Sequence, residues 1–366
     1  MSVSTLSEQL KPLLDSNGPG EKKIYGLQGG ARGYLLSLIA ESRRSPILAI
    51  APTAREAEQL FQDLSFFLGA AESAAPLSKR LHLFPSWEIL PFENLSPHPD
   101  AIGARLEGLY HLVEGRAPIL VSSAAAVMQK VIPKEALKTS YRYLVVGEES
   151  AREGLIEHLA SWGFQNVPLV EERGDFSVRG GILDIFPPGY DRPVRLEFSA
   201  DRLESIREFD PATQRSQGEL QELLLLPMKE FSLRRDDIGR IAREIERRAE
   251  ELELGRIQKN ALLESVREGI PFVGMEFLAP YFYPALATVF SYLPPQTLLW
   301  LDQPDHVAAE AEKFERLLWE MSARAKEQGR LTPPPDRLYL NASEWREAGR
   351  SFARLHSEPL DIAPPR

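Results

Sequence analysis

The sequence predicts an α/β protein in which a domain built on a parallel sheet is interrupted by a small α+β domain with an antiparallel sheet. Three observations support this fold class. Strands alternate with helices between residues 23 and 122, which is typical of a parallel sheet. Residues 173–199 alternate apolar with polar positions, the period of strands that bury one face. The apolar run at 298–302 then returns the chain to the first sheet.

The first domain is expected to begin with a short helix over residues 4–16. A strand at 23–27 leads into a glycine-rich turn at 28–33 that opens a helix, which is the arrangement of a phosphate-binding loop and hence of a P-loop NTPase-type domain. Further expected elements are strands at 46–51, 81–84 and 119–122, a helix starting at a capping box formed by Thr53 and Glu56, and a helix near 101–114.

A long proline-rich connection interrupts this alternation. Residues 84–100 read FPSWEILPFENLSPHPD and contain four prolines with little periodicity. We interpret the segment as an ordered loop packed down on its own apolar residues; contact with nucleic acid is the alternative.

From residue 141 the pattern changes to that of an α+β domain. The expected elements are a strand at 141–146, a helix at 149–162, a hairpin array over 173–199, and strands at 203–209 and 222–226. Within the array, Gly180-Gly181 suits a tight turn because glycine tolerates positive φ. Arg179 and Arg195 are expected to project from strands rather than from a mobile loop.

The last part of the chain contains a charged amphipathic helix over 234–267 with a solvated polar face, the strand at 298–302, and a helix at 305–328. A break follows at Pro333-Pro334-Pro335. The expected domains are 1–138 and 228–330 for the split α/β domain, 139–227 for the small α+β domain, and 331–366 for a connector to further segments.

Composition limits the functions that are compatible with the chain. Its 366 residues fit two to three domains, and the absence of cysteine excludes disulfides, thiolate zinc sites and a cysteine nucleophile. The net charge of −10 argues against sequence-independent DNA binding. Because the chain has neither an apolar run of about 18 residues nor a visible secretory signal, we expect a cytoplasmic protein with no membrane contact.

The phosphate-binding motif is degenerate. A working loop needs a lysine for the phosphates and a hydroxyl for Mg²⁺, but Arg32 and Gly33 occupy these positions. The strand that should end in Asp-Glu ends in Asp302-Gln303, and glutamine cannot act as a general base. The degenerate nucleotide site comprises Gly29, Gly30, Arg32, Gly33, Asp302 and Gln303. We therefore expect no ATP hydrolysis, no cofactor and no catalytic residues in this chain.

No other catalytic or metal motif is evident. The six histidines include no i, i+4 pair of histidines and no H-E-x-x-H, so no metal site is expected. There is no G-x-S-x-G nucleophile elbow either.

Two segments resemble a known family. RGDFSVRGGILDIFPPG and RLEFSADRLESIREFDPATQRS are similar to the second domain of excinuclease B, and more closely to the matching domain at the N-terminus of bacterial transcription-repair coupling factors. LFPSWEILPFENLSPHPD resembles the coupling factors specifically. The resemblance covers about residues 20–330. It implies a helicase-like first domain, split in sequence by the small domain.

The resemblance also implies a function in nucleotide excision repair. In the family, the second domain binds excinuclease A, the ATPase that delivers damaged DNA to excinuclease B. RNA polymerase, DNA, ATP and Mg²⁺ are bound through the rest of the full-length protein. Carried over by position, the docking residues are Arg179, Arg195, Phe198 and Ser199, with Arg173 and Arg207 as weaker candidates.

Two alternatives remain open at this point. In the first, Arg179 and Arg195 serve the fold alone, by pairing with Glu197, Asp184 or Glu172 across the sheet. In the second, the chain as a whole is a divergent excinuclease B or an ATP-dependent DNA helicase fragment. That interpretation requires Arg32 and Gln303 to be functional substitutes.

Overall fold

The computed structural model describes residues 20–69, 79–233, 235–270 and 272–360. The expected α/β class is confirmed, and the helix expected at 4–16 lies outside the described residues. Strands in chain order are β1 Gly20–Tyr25, β2 Ile47–Ala51, β3 Leu81–Phe84, β4 Ile119–Ser123, β5 Arg142–Val145, β6 Gln165–Asn166, β7 Asp175–Arg179, β8 Ile182–Ile185, β9 Val194–Ser199, β10 Arg202–Phe209, β11 Ser216–Leu220, β12 Glu222–Leu225, β13 Leu298–Asp302 and β14 Ala353–Glu358.

The helices fill the connections between strands. They are α1 Ala31–Ser42, α2 Ala54–Leu68, α3 Pro99–Val113, α4 Ala124–Met128, α5 Lys134–Lys138, α6 Arg152–Ser161, α7 Ile238–Glu251, α8 Arg256–Glu268, α9 Ala279–Phe282, α10 Val289–Tyr292, α11 Pro304–Glu327, α12 Pro335–Leu338 and α13 Ala342–Gly349, with 3₁₀ turns at Arg235–Asp237 and Met275–Leu278. The expected capping box at Thr53 and Glu56 starts α2. Within the described ranges, no helix combines the length and apolar composition needed to cross a membrane.

The main sheet is parallel throughout. Among the described residues it has six strands in the order β1-β14-β13-β2-β4-β3. Alternate residues of each central strand enter different cores. In β2, for example, Ile47 and Ala49 pack with α1 and α2, whereas Leu48 and Ile50 pack on the opposite side. Burial on both faces explains why these strands read as continuous apolar runs.

The second sheet carries the small α+β region. It has the order β11-β10-β9-β8-β7-β6 in the described chain and is antiparallel except for β6 with β7. The hairpin expected at Gly180-Gly181 joins β7 to β8. Strand β12 follows this array in the chain but does not belong to the same sheet. It pairs with β5 in a separate two-stranded sheet.

Strand β12 joins the small region to the main body. Leu223 and Leu225 lie in the core of the antiparallel sheet, whereas Leu224 and Leu226 lie in a core of the parallel sheet. Since successive side chains of a strand point to opposite faces, one short strand serves both cores. The position of the small region is therefore fixed by apolar packing.

Two sequence expectations about the last third are corrected. The charged helix expected over 234–267 is two helices, α7 and α8, with Glu253 in a left-handed conformation between them. The segment 331–366, expected to be a connector, contributes β14 to the parallel sheet between β1 and β13. Strand β14 is hard to recognise in the sequence because Arg354 and His356 break its apolar pattern. The other domain boundaries stay predictions.

The proline-rich loop at 84–100 is packed against the protein, as the favoured interpretation predicted. Trp87 and Phe92 are each 2% exposed. The Trp87 indole Nε1 donates to Glu230 Oε2 at 3.0 Å, and Arg105 donates to both carboxylate oxygens of Glu230 at 2.8 and 3.2 Å. The loop is thereby tied to the chain that leaves the small region. Its anchoring to the protein argues for a structural role.

Candidate functional site

One face of the antiparallel sheet is apolar and the other is polar. Leu183, Leu196 and Phe198 point into the core, so their neighbours along the strands point outward. Pairing across the strands places Asp184, Arg195 and Arg207 in one row of the polar face. We call this surface the arginine face; it comprises the polar residues Ser177, Arg179, Asp184, Arg195, Glu197, Ser199, Ser205 and Arg207, together with the partly buried Ile182 between Arg179 and Glu197.

A buried carboxylate organises the arginine face. Asp184 is fully buried and accepts two bonds from Arg195, from Nε to Oδ1 at 2.7 Å and from Nη2 to Oδ2 at 2.9 Å. Arg179 Nη2 donates to the same Oδ2 at 2.6 Å. The two arginines that the sequence selected are therefore held together by one aspartate. The sequence leaves open whether Arg179 and Arg195 pair with a carboxylate across the sheet. In the structure both arginines pair with Asp184.

This pairing leaves net positive charge at the surface. One carboxylate faces two guanidinium groups, and bidentate binding to Asp184 raises the pKa of Arg195 despite its partial burial. The Arg195 side chain is 17% exposed, whereas that of Arg179 is 48% exposed. Arg195 is thus mainly a positioning residue within the face, and Arg179 presents its remaining donors to solvent.

Further contacts make the arginine face rigid. The Arg195 guanidinium lies 4.9 Å from the centre of the Phe209 ring, a cation–π contact. At the β7–β8 turn, Arg152 Nη1 donates to the Gly180 carbonyl at 2.9 Å. A Cβ on Gly181 would lie 2.6 Å from the Phe198 carbonyl oxygen, so the close approach of β9 requires glycine there. The arginines consequently project from a braced hairpin.

The aromatic residue assigned to the docking set is buried in the structure. Phe198 is 8% exposed and belongs to the core of the antiparallel sheet, where its burial stabilises the fold by about 1.5–3 kcal/mol. Strand alternation places it on the face opposite Arg195. The neighbouring Ser199 is exposed and lies on the arginine face. The side chain of Phe198 is therefore not presented on the arginine face, and its part in docking stays a prediction.

The two weaker arginine candidates make contacts of their own. Arg207 lies 3.4 Å from Glu197 Oε1 and 3.8 Å from Glu219 Oε1, so its charge is offset locally. Arg173 donates to Asp100 Oδ1 at 2.5 Å and to the Tyr190 carbonyl, which links the small region to the start of α3. These contacts give Arg207 and Arg173 intramolecular roles, and the uncompensated charge lies at Arg179 and Arg195.

The two segments that the sequence analysis assigns to a degenerate nucleotide motif meet at the carboxyl edge of the parallel sheet. The glycine turn follows β1, and Asp302-Gln303 follows β13. Arg32 Nη1 contacts Asp302 Oδ2 at 2.5 Å, and the Asp302 side chain is 1% exposed. Gln303 is left-handed, with φ of 54°, and begins α11. The guanidinium of Arg32 is therefore paired with this buried carboxylate.

The position of Gly33 is set by helix packing. A Cβ on Gly33 would lie 2.6 Å from Asp63 Cβ and 3.2 Å from the Asp63 carbonyl carbon. Helices α1 and α2 thus approach so closely here that a serine or threonine side chain does not fit. The hydroxyl that a working phosphate loop supplies to Mg²⁺ is sterically excluded in this fold.

Asp302 makes the stability depend on pH. Burial raises the pKa of its carboxyl to about 6, although Arg32 opposes the shift. The native state binds this proton more tightly than the unfolded chain, so stability falls as pH rises from about 4 to about 6. We expect the free energy of unfolding of the wild type, relative to Asp302→Asn, to fall by roughly 2–3 kcal/mol over this range. Urea unfolding at several pH values measures it.

The exposed Asp191→Asn variant is the control for removing an aspartate carboxylate from the surface. A difference between the wild type and Asp302→Asn that does not change with pH would contradict the assignment.

Comparison with known proteins identifies the region that carries the arginine face. Residues 143–231 match the UvrB interaction domain. Most of the chain is similar to proteins named transcription-repair-coupling factor: 37% identical over 347 residues in Myxococcus xanthus, 31% over 339 in Escherichia coli and 30% over 345 in Haemophilus influenzae. These alignments cover 92–93% of this chain and 28–29% of each relative. The chain thus spans less than a third of the length of these relatives.

Proposed function

We propose that the chain recruits excinuclease A, because residues 143–231 match the UvrB interaction domain and about nine tenths of the chain is similar to transcription-repair-coupling factors. In this role it is the excinuclease-B-like module of a coupling factor and acts in transcription-coupled nucleotide excision repair. The observation that carries the proposal is that the matched domain contains the whole arginine face.

The chemistry of the arginine face supports an acidic partner surface. Arginine is enriched at protein interfaces because its planar donors bind carboxylates in pairs. Asp184 already orders Arg179 and Arg195, so these side chains lose little conformational entropy when they bind a partner. A rigid, preorganised pair of cations in an acidic chain is suited to one specific partner. It is poorly suited to sequence-independent DNA binding.

The direct test mixes the purified chain with purified excinuclease A and measures complex formation by size-exclusion chromatography and light scattering. A stoichiometric complex is expected. If the chain binds excinuclease B and not excinuclease A under the same conditions, the assigned partner is wrong.

We further propose that the parallel-sheet region is a helicase-like, P-loop NTPase-type domain whose nucleotide site has lost its function. The Arg32–Asp302 pair and the crowding at Gly33 both support this interpretation. The chain then contributes no ATPase activity. In the longer relatives, ATP, Mg²⁺, DNA and RNA polymerase would be handled by segments outside this chain.

Calorimetric titration of the chain with ATP and Mg²⁺ tests this second part. We expect no saturable binding up to millimolar ATP and no phosphate release, because Arg32 blocks the Mg²⁺ carboxylate and Gly33 supplies no hydroxyl. The positive control is an intact excinuclease B in the same buffer. Micromolar binding with turnover would instead support the alternative, a divergent excinuclease B or helicase fragment.

A further inference from the structure

Three buried side chains with metal-binding atoms meet between β3 and α3. His82 comes from β3, and Glu107 and His111 come from α3 at a spacing of four residues, which places them on the same side of the helix. Their ligand atoms all lie within 4.8 Å of one another. The three residues are 5%, 5% and 1% exposed. A search along the sequence for paired histidines misses this group because the fold brings its members together.

The hydrogen bond on the far side of His82 fixes where its lone pair points. His82 Nε2 lies 3.1 Å from the Lys79 carbonyl oxygen, and since a carbonyl only accepts, Nε2 carries the hydrogen. In a neutral ring, Nδ1 then presents a lone pair toward Glu107 Oε1, 3.2 Å away. That oxygen is buried without a hydrogen-bond partner in the described part of the chain. Two acceptors facing each other in a buried place require a cation between them.

A second imidazole stands beside this contact. The rings of His82 and His111 are 4.5 Å apart at their centres and tilted by 36°. A metal ion at this contact would also be within reach of the His111 ring, because the ligand atoms of all three residues lie close together. Two histidines and one carboxylate form a donor set typical of zinc, and a backbone carbonyl on the second ring nitrogen is the usual support of a zinc-bound histidine.

We propose that His82, Glu107 and His111, with one water molecule as the fourth ligand, bind one Zn²⁺ ion that fastens β3 to α3. Tetrahedral zinc with bonds near 2.1 Å holds its ligand atoms about 3.4 Å apart. The three ligand groups therefore need to approach one another by about an ångström, and small changes of the side-chain rotamers allow this. Because the site is enclosed and supports the sheet, the ion acts on stability and does not activate a substrate. This proposal is independent of the docking function.

The test uses the full chain after treatment with a chelator and desalting. Titration with Zn²⁺ should show that one equivalent binds and should raise Tm by about 3 °C or more. Titration with Co²⁺ should give the visible absorption of a tetrahedral site. Glu107→Gln and His111→Gln should each weaken Zn²⁺ binding by more than about 100-fold. Both variants keep the size of the side chain, and near-ultraviolet circular dichroism verifies their folding.

The control is His306→Gln, which removes a half-exposed histidine that stands four residues from Glu310 on α11. It should bind Zn²⁺ as the wild type does. The proposal is overturned if the wild type binds less than one tenth of an equivalent, or if Glu107→Gln and His111→Gln bind as tightly as the wild type. Insensitivity of Tm to both zinc and chelator would show instead that a proton joins His82 and Glu107.

Discussion

Glu230→Gln is expected to lower the free energy of unfolding by about 3–5 kcal/mol, because it leaves the guanidinium of Arg105 buried without its counter-charge. Both side chains of this pair are completely buried. Glu230 also accepts the indole hydrogen of Trp87, so the substitution loosens the proline-rich loop as well. Urea unfolding monitored by Trp fluorescence and circular dichroism measures the change.

Two comparisons separate charge from packing in this experiment. Glu135→Gln removes an exposed partner of Lys138 and should cost well under about 1 kcal/mol. The double variant Arg105→Met/Glu230→Leu should be more stable than Glu230→Gln, since apolar side chains can replace a buried pair at little cost. A loss below about 1 kcal/mol for Glu230→Gln would show that the pair does not hold the loop to the body.

Asp184→Asn is expected to destabilise the protein by about 2–4 kcal/mol and also to weaken binding of excinuclease A by about 10-fold or more. The first effect arises because Arg195 loses a bidentate anion within the sheet. The second arises because Arg179 and Arg195 are no longer held in place and must be ordered on binding. Chemical unfolding and isothermal titration calorimetry measure the two effects separately.

Glu197→Gln provides the matched control for Asp184→Asn. Glu197 lies on the same face but is about one third exposed and contacts Arg207 and Ser205. Its substitution should change stability by less than about 1 kcal/mol and leave the affinity for excinuclease A within a few-fold. If Asp184→Asn binds as tightly as the wild type while remaining folded, the ordering role of Asp184 is contradicted.

The sequence was sufficient for most of the fold, and its failures have physical causes. Strand β13 was recognised because LLWLD is buried on both faces and reads as an apolar run. Strand β14 was missed because it carries Arg354 and His356, whose polar atoms are accommodated beside Glu21 of β1. The division of the charged helix into α7 and α8 depends on a left-handed residue, Glu253, that amphipathic periodicity does not reveal.

The candidate site could be predicted in part. The family resemblance points to Arg179 and Arg195, and strand alternation explains why Phe198, three residues after Arg195, lies on the opposite face. Asp184 was visible only as one of several carboxylates within reach. Asp184 lies between the inward-facing Leu183 and Ile185 and therefore points to the arginine face. Only the register of β8 with β9 shows that it lies opposite Arg195.

The most direct test of the docking account measures the affinity of excinuclease A for the wild-type chain and for Arg179→Glu/Arg195→Gln. Because this variant leaves the buried Asp184 carboxylate without a counter-charge, we expect it to be destabilised by about 3–5 kcal/mol, and circular dichroism must verify that it is folded before binding is measured. If each arginine contributes about 2 kcal/mol, the double variant should bind about 1000-fold more weakly. Arg247→Glu, a half-exposed arginine paired with Glu244 and Glu251 on α7, should bind as the wild type does. Equal affinity of the wild type and the folded double variant would contradict the account.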